Sequence, residues 1–122
     1  MAREGEGWRL AWDGGRQPFS VLIGGEGWAV ELSDAEAEAL RAVVADLVAQ
    51  HAALVDQLME EEAISLELER EPWWAAIEGD RKSWSLQVVL SPEPGQRAVE
   101  GAWPHPASRA FSLALQRWHG QP

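Results

Sequence analysis

Apolar and polar residues alternate along most of this chain, and the alternation gives way twice to helical spacing. Trp8, Leu10 and Trp12 alternate with Arg9 and Ala11, the period-two pattern of a strand with one face on a core. Asp13-Gly14-Gly15-Arg16 supplies a turn, and Phe19, Val21 and Ile23 resume the alternation. Gly24-Gly25-Glu26-Gly27 turns again, and Trp28, Val30 and Leu32 form a third strand. At Ser33 the period changes. Ser33 with Glu36 makes a capping box, and Asp34, Glu36 and Glu38 place negative charge where a helix dipole favours it. Behind the cap, Leu40, Val44, Leu47, His51, Leu54 and Leu58 step by fours and threes, and Val43, Val48, Val55 and Met59 widen the stripe. The spacing predicts a helix from about Asp34 to Glu60, close to 40 Å long. Three acids at Glu60-Glu61-Glu62 oppose the dipole and should end it.

After the helix, Ile64, Leu66 and Leu68 alternate with Ser65, Glu67 and Glu69, as in a strand with one wet face. Trp73 to Glu78, a turn at Gly79-Asp80-Arg81-Lys82, and Trp84, Leu86, Val88 and Leu90 continue the pattern. A Pro- and Gly-bearing loop follows from Ser91 to Gly95, then a shorter strand from Ala98 to Trp103. From Ala107, Phe111, Leu115 and Trp118 stand at i, i+4 and i+7, with Gly120 as the C-terminal stop. The halves look duplicated. At an offset of 65, residues 8–16 match residues 73–81 in pattern, and Ala29-Val30-Glu31 is identical to Ala98-Val99-Glu100 further on. The expected architecture is α+β in the order β-β-β-α-β-β-β-β-α, two sheet-plus-helix units in a single domain over residues 1–122.

The Trp-rich first hairpin, the long capped helix and Glu71-Pro72-Trp73-Trp74 resemble an uncharacterised family of cyanobacteria and plastid-bearing organisms. That family is similar in fold to the Whirly and transcriptional-coactivator type of single-stranded-DNA-binding domain. The resemblance covers essentially the whole chain and implies curved antiparallel sheets, each followed by a helix, with nucleic-acid binding as the associated function. It rests on pattern and length, carries no catalytic signature, and transfers no functional residue.

Composition narrows the chemistry. Zero cysteines among 122 residues remove thiol catalysis, thiolate metal sites and disulfides. No apolar N-terminal segment or long apolar run suggests a signal or a membrane span, so the chain reads as soluble and cytoplasmic. Twenty acids against ten bases give a net charge of -10, which disfavours a generally basic nucleic-acid binder or a polybasic membrane binder. The excess is uneven: residues 34–62 hold eight acids and one base, residues 80–122 three acids and five bases. One locally neutral or basic face therefore stays open.

Single-strand binding needs cations for the phosphates and aromatic faces for the bases. Arg9, Arg16, Arg81, Lys82 and Arg97 lie on or beside strands, and Trp73 and Trp74, being adjacent, must point to opposite faces of theirs. These seven residues form the candidate nucleic-acid surface; Trp8, Trp12, Trp28 and Trp84 read as core. His51, His105 and His119 are far apart and lack an HExxH arrangement, so no metal and no cofactor is expected. No nucleophile elbow or phosphate loop occurs, and Gly24 to Gly27 reads as a hairpin turn. The leading expectation is a non-enzymatic binding protein, dimeric by two-fold symmetry, taking nucleic acid or protein. The alternative is a protein-interaction module acting through the acidic helix, and a third reading is a small enzyme with a pocket where carboxylates and a histidine converge.

Overall fold

The structure, a computed structural model, describes residues 1–59, 62–91 and 97–118. Glu60 and Glu61, most of the expected loop after Ser91, His119 and Gly120 lie outside the described residues. The chain forms β1 (Ala2–Gly5), β2 (Trp8–Trp12), β3 (Val21–Gly25), β4 (Trp28–Leu32), α1 (Asp34–Val55), β5 (Ile64–Arg70), β6 (Trp73–Gly79), β7 (Trp84–Leu90), β8 (Val99–Trp103) and α2 (Ala107–Arg117). It is a mixed α+β architecture of two four-stranded antiparallel sheets, β1-β2-β3-β4 and β5-β6-β7-β8, and two helices.

The expected order with three strands before the first helix is corrected by β1. Its four residues, Ala2-Arg3-Glu4-Gly5, are all exposed and carry no apolar alternation, so no pattern marks them. Pairing with β2 makes the strand, Ala2 opposite Ala11 and Gly5 opposite Trp8, and the Trp12 amide donates to the Met1 carbonyl. The same order of elements thus occurs twice, four strands and a helix each time.

Helix α1 starts as the sequence predicts. Ser33 caps it: the Glu36 amide donates to Ser33 Oγ at 3.2 Å, and the Ser33 amide to Glu36 Oε1 at 2.9 Å. It ends five residues earlier than the apolar stripe suggests, with Asp56 as C-cap. Val55, at 5% exposure, is the last buried position of the stripe; Met59 beyond it is 74% exposed, because the surface that α1 covers has run out by then, and Leu54 on the helix's flank is 44% exposed.

Each helix serves the other unit's sheet. α1 follows the first sheet but packs mainly on β5 and β6, and α2 follows the second sheet but packs mainly on β2. The core between them holds Leu10, Ile23 and Leu32 from the first sheet, Trp73, Ile77, Leu86 and Leu90 from the second, Leu40 and Leu47 from α1, and Phe111 and Leu115 from α2. Trp103 joins them: its ring stacks on Phe111 at 4.0 Å, packs tilted on Trp28 at 5.1 Å, and its indole N–H donates to the Gly24 carbonyl at 2.9 Å. Trp84 is buried as expected of a core residue, whereas Trp8, Trp12 and Trp28 are half-buried around the core's margin. The helices are tied directly by reciprocal bonds, Arg41 to the Gln116 carbonyl and the Gln116 amide to the Arg41 carbonyl, each 3.3 Å.

Candidate functional site

The seven residues singled out from sequence do not form one surface. Arg97 braces the start of α1: its guanidinium takes both Glu36 carboxylate oxygens, at 2.5 and 3.2 Å, donates to the Glu31 carbonyl at 2.7 Å, and lies over the Phe19 ring. Burial pushes the Glu36 carboxyl up, but hydrogen bonds from Arg97 and the Ser33 amide outweigh it and hold the group below its ordinary value of 4.5. Arg16 pairs with Glu31 at 2.5 Å nearby. Arg81 and Lys82 stand at the other end of α1, where Arg81 donates to the Val55 carbonyl at 3.0 Å. Twenty-two helical residues, about 33 Å, separate the two groups. Arg9 is exposed on the outer face of the first sheet, beside Glu4 on β1.

The two adjacent tryptophans face opposite ways. Trp73 is 1% exposed and its indole N–H donates to the Glu36 carbonyl at 2.8 Å, so it belongs to the core and is removed from any contact surface. Trp74 is half-buried on the outer face of the second sheet, in register with Glu69 and Val89. Glu67, Glu78 and Glu100 share that face by strand alternation, and no base does among the described residues. A phosphate backbone laid over Trp74 would meet carboxylates.

The acidic helix is less acidic than its composition. Asp34 accepts the Ser20 hydroxyl, Glu36 holds Arg97, Glu38 meets Arg41 at 3.1 Å, and Asp46 meets Arg70 at 2.5 Å. Between residues 34 and 46 its carboxylates are therefore each engaged by a partner side chain.

Positive charge gathers along α2. Arg109, Leu113 and Arg117 stand four residues apart on one side of the helix, all exposed, and no acid interrupts that helix. Arg117 sits in its last turn, where the dipole favours a cation. At the N-terminal end Arg109 donates to the Arg81 carbonyl at 3.2 Å, which brings Arg81 and Lys82 alongside. Toward the other end, Arg3 of β1 and Arg117 border one groove with Trp8 and Leu113. Against these five cations stand Glu4, Asp56 and Asp80. Asp80 is a turn carboxylate: the Ser83 and Lys82 amides donate to it at 2.8 Å and hold it below the usual carboxylate range. The sequence carried two signals for this face, the slightly positive C-terminal third and the Arg-x-x-x-Leu-x-x-x-Arg spacing on α2.

Beside this face, α1 and α2 enclose a cleft of about 280 Å³ lined by Val48, His51, Val55, Trp84, Arg81 and Arg109, among others. His51 is 3% exposed, and its Nε2 lies 2.9 Å from the Gly79 carbonyl, which can only accept, so Nε2 carries the proton. Asp56 and Ser112 also line the cleft, so a histidine, a carboxylate and a hydroxyl do converge there. They are not linked as a nucleophile and its base would be. Ser112 Oγ donates to the Arg109 carbonyl at 3.0 Å, and Asp56 approaches Arg81 at 4.0 Å. Among the described residues no three histidine or acid side chains come together as a metal would need, and no helix is long and apolar enough to cross a membrane.

Comparison with known proteins agrees with this picture of a fold without an assigned chemistry. No curated protein matches the chain. A crystal structure of a protein of unknown function from the cyanobacterium Prochlorococcus sp. NATL2A, described as of the DUF155 family, is similar throughout: 41% identity, a TM-score of 0.90, and coverage of 95% of this chain and 96% of that one. A domain of unknown function, DUF1818, matches from residue 3 in β1 to residue 118 just past α2, so both units and the helices exchanged between them lie inside it, and the chain belongs to the DUF1818 family.

Proposed function

We propose that this is a non-enzymatic binding protein and that the exposed face of α2 is its contact surface for a polyanion, single-stranded nucleic acid in the first place. One observation carries the reading: in a chain of net charge -10, Arg109 and Arg117 lie on one eleven-residue helix, Arg3 and Arg81 lie against it, and Lys82 follows Arg81 in the chain, five of the ten bases in all. Arg109 and Arg117 are about 12 Å apart along the axis, at 1.5 Å per residue, so a flexible strand can engage both. Trp8, half-buried in the groove beside Arg3 and Arg117, supplies an aromatic face. The order of four strands and a helix, repeated, supports a scaffold of the Whirly type. Of the residues read from sequence, Arg81 and Lys82 belong to this surface; Arg9, Arg16 and Arg97 stand apart from it.

The test is a fluorescence anisotropy titration with a single-stranded 20-mer. Binding at low salt, with log K falling linearly against log salt by about 0.7 per phosphate contact, is expected. No binding at low salt contradicts the reading. The outer face of the second sheet favours a second reading, a basic protein partner. There Trp74 stands among Glu67, Glu69, Glu78 and Glu100, and a partner arginine would find both an aromatic face and carboxylates. Substituting Trp74→Ala should then abolish pairing with that partner and leave the 20-mer titration unchanged.

A further inference from the structure

We infer that the cleft between α1 and α2 is a binding site for a small amphipathic carboxylate, a molecule with an apolar body and one anionic end. This goes beyond the polyanion surface, since it concerns a different ligand held inside the cleft, although Arg81 and Arg109 border both. The volume, about 280 Å³, falls just below the ~300 to 1,000 Å³ of drug-sized ligand pockets, which suits a small ligand. Its apolar walls come from Val48 and Val55 of α1, Trp84 of β7 and Leu113 of α2. Leu113 is 55% exposed, an apolar side chain that a ligand lying in the cleft would cover.

The polar groups set the ligand's charge. Arg81 and Arg109 both line the cleft, and each guanidinium offers five N–H donors of which few are used within the protein. Arg81 spends one on the Val55 carbonyl, and Asp56 stays 4.0 Å away with its side chain 80% exposed, a contact that water screens. Arg109 spends one on the Arg81 carbonyl while lying 5.8 Å from the Trp84 ring centroid, which orients it across the cleft wall. The other polar groups are satisfied internally: His51 Nε2 by the Gly79 carbonyl, Ser112 Oγ by the Arg109 carbonyl. What remains unfilled is an apolar volume and two forks of donors that match a carboxylate.

Sodium octanoate is the probe, followed by amide chemical shifts of the full chain, with 1-octanol and sodium acetate as controls. Saturable shifts centred on Ala52, Val55, Ser112 and Leu113 are expected, with octanol, lacking the charge, and acetate, lacking the tail, each binding at least ten-fold more weakly. Ala52, exposed on the cleft side of α1, is the position for blocking variants. Ala52→Trp fills the volume without changing charge and should reduce octanoate binding at least ten-fold while the 20-mer titration holds; Ala52→Glu sets a carboxylate beside Arg81 and Arg109 and should reduce octanoate binding at least as much. Arg117→Glu, outside the cleft, should leave octanoate binding unchanged. Equal affinity for octanoate and octanol, shifts scattered over the surface, or full binding by Ala52→Glu would each overturn the inference. Because Ala52→Glu changes an exposed helix position, it keeps the test decisive if Ala52→Trp does not fold. A chain that takes octanoate and ignores the 20-mer would sink only the polyanion reading, and the reverse would sink only this one.

Discussion

Single side chains far apart in sequence hold the ends of the long helix. Glu36 closes its own capping box and also receives Arg97, sixty-one residues later, in a two-pronged pair whose side chains are only 13% and 32% exposed. Glu36→Ala removes one of the two capping-box bonds and leaves Arg97 without its carboxylate partner; an equilibrium denaturation should show a loss of about 1.5–3 kcal/mol, the range for charge-assisted bonds of this kind. The sign of the pH effect follows from the lowered pKa. A carboxyl more acidic folded than unfolded stabilises at neutral pH, and that contribution fades as pH falls through the folded-state value, below the ordinary 4.5. Stability of Glu36→Gln should therefore fall less steeply than wild type as pH drops below the ordinary 4.5; parallel curves would show that the pair does not carry the effect.

Two glycines are fixed by what stands beside them. Gly79 has φ +145°, and a Cβ there would lie 2.2 Å from the Ser83 carbonyl oxygen and 2.5 Å from Trp84 Cα, backbone that cannot yield. Gly101 faces the Trp28 ring, and a Cβ would come within 2.4 Å of Trp28 Cη2. Gly101→Ala should cost about 1–3 kcal/mol by overpacking, and Gly79→Ala more, since both strain and collision act. A thermal melt of the two variants checks the order.

At the scale of elements, what the sequence shows depends on whether an element's pattern is local. The capping box at Ser33 and Glu36, and the alternation in Ile64 to Glu69 and Trp84 to Leu90, are local and appear as read. β1 is a strand only because β2 offers it partners, and nothing within Ala2 to Gly5 says so. β3 begins at Val21, two residues later than its apolar alternation, because Phe19 turns outward under Arg97 at 38% exposure. The charge pattern misleads for the same reason. Asp46 looks like part of an uncompensated acidic face until Arg70 is brought to it by the crossing of α1 over β5. Of the candidate surface, only Arg81 and Lys82 were legible in advance. Arg109 and Arg117 showed helical spacing, but Arg3 joins them only through the folding of α2 onto the first sheet.

For the whole molecule, the exchange of helices between units makes each sheet incomplete alone. The first unit without α2 would expose the face around Leu10 and Trp8, and the second without α1 would expose β5 and β6. Unfolding in guanidinium should accordingly be one transition, coincident by far-ultraviolet circular dichroism and by tryptophan fluorescence. Residues 1–59 expressed by themselves should lack that cooperative transition; a stable isolated half would contradict the exchange. The same exchange builds the functional geometry, since it sets α2 between Arg3 on one side and Arg81 and Lys82 on the other, and closes the cleft against His51 and Trp84.

The central claim is that this acidic protein binds anions through one locally basic helix face. Paired charge reversals measure it most directly: single-stranded 20-mer binding at low salt by Arg109→Glu/Arg117→Glu, compared with Arg9→Glu/Arg16→Glu, which makes the same change in net charge elsewhere. The account predicts at least a ten-fold loss and a shallower salt slope for the first pair, and near wild-type binding for the second. Equal losses in the two pairs would mean that only net charge matters and that the α2 face is no site.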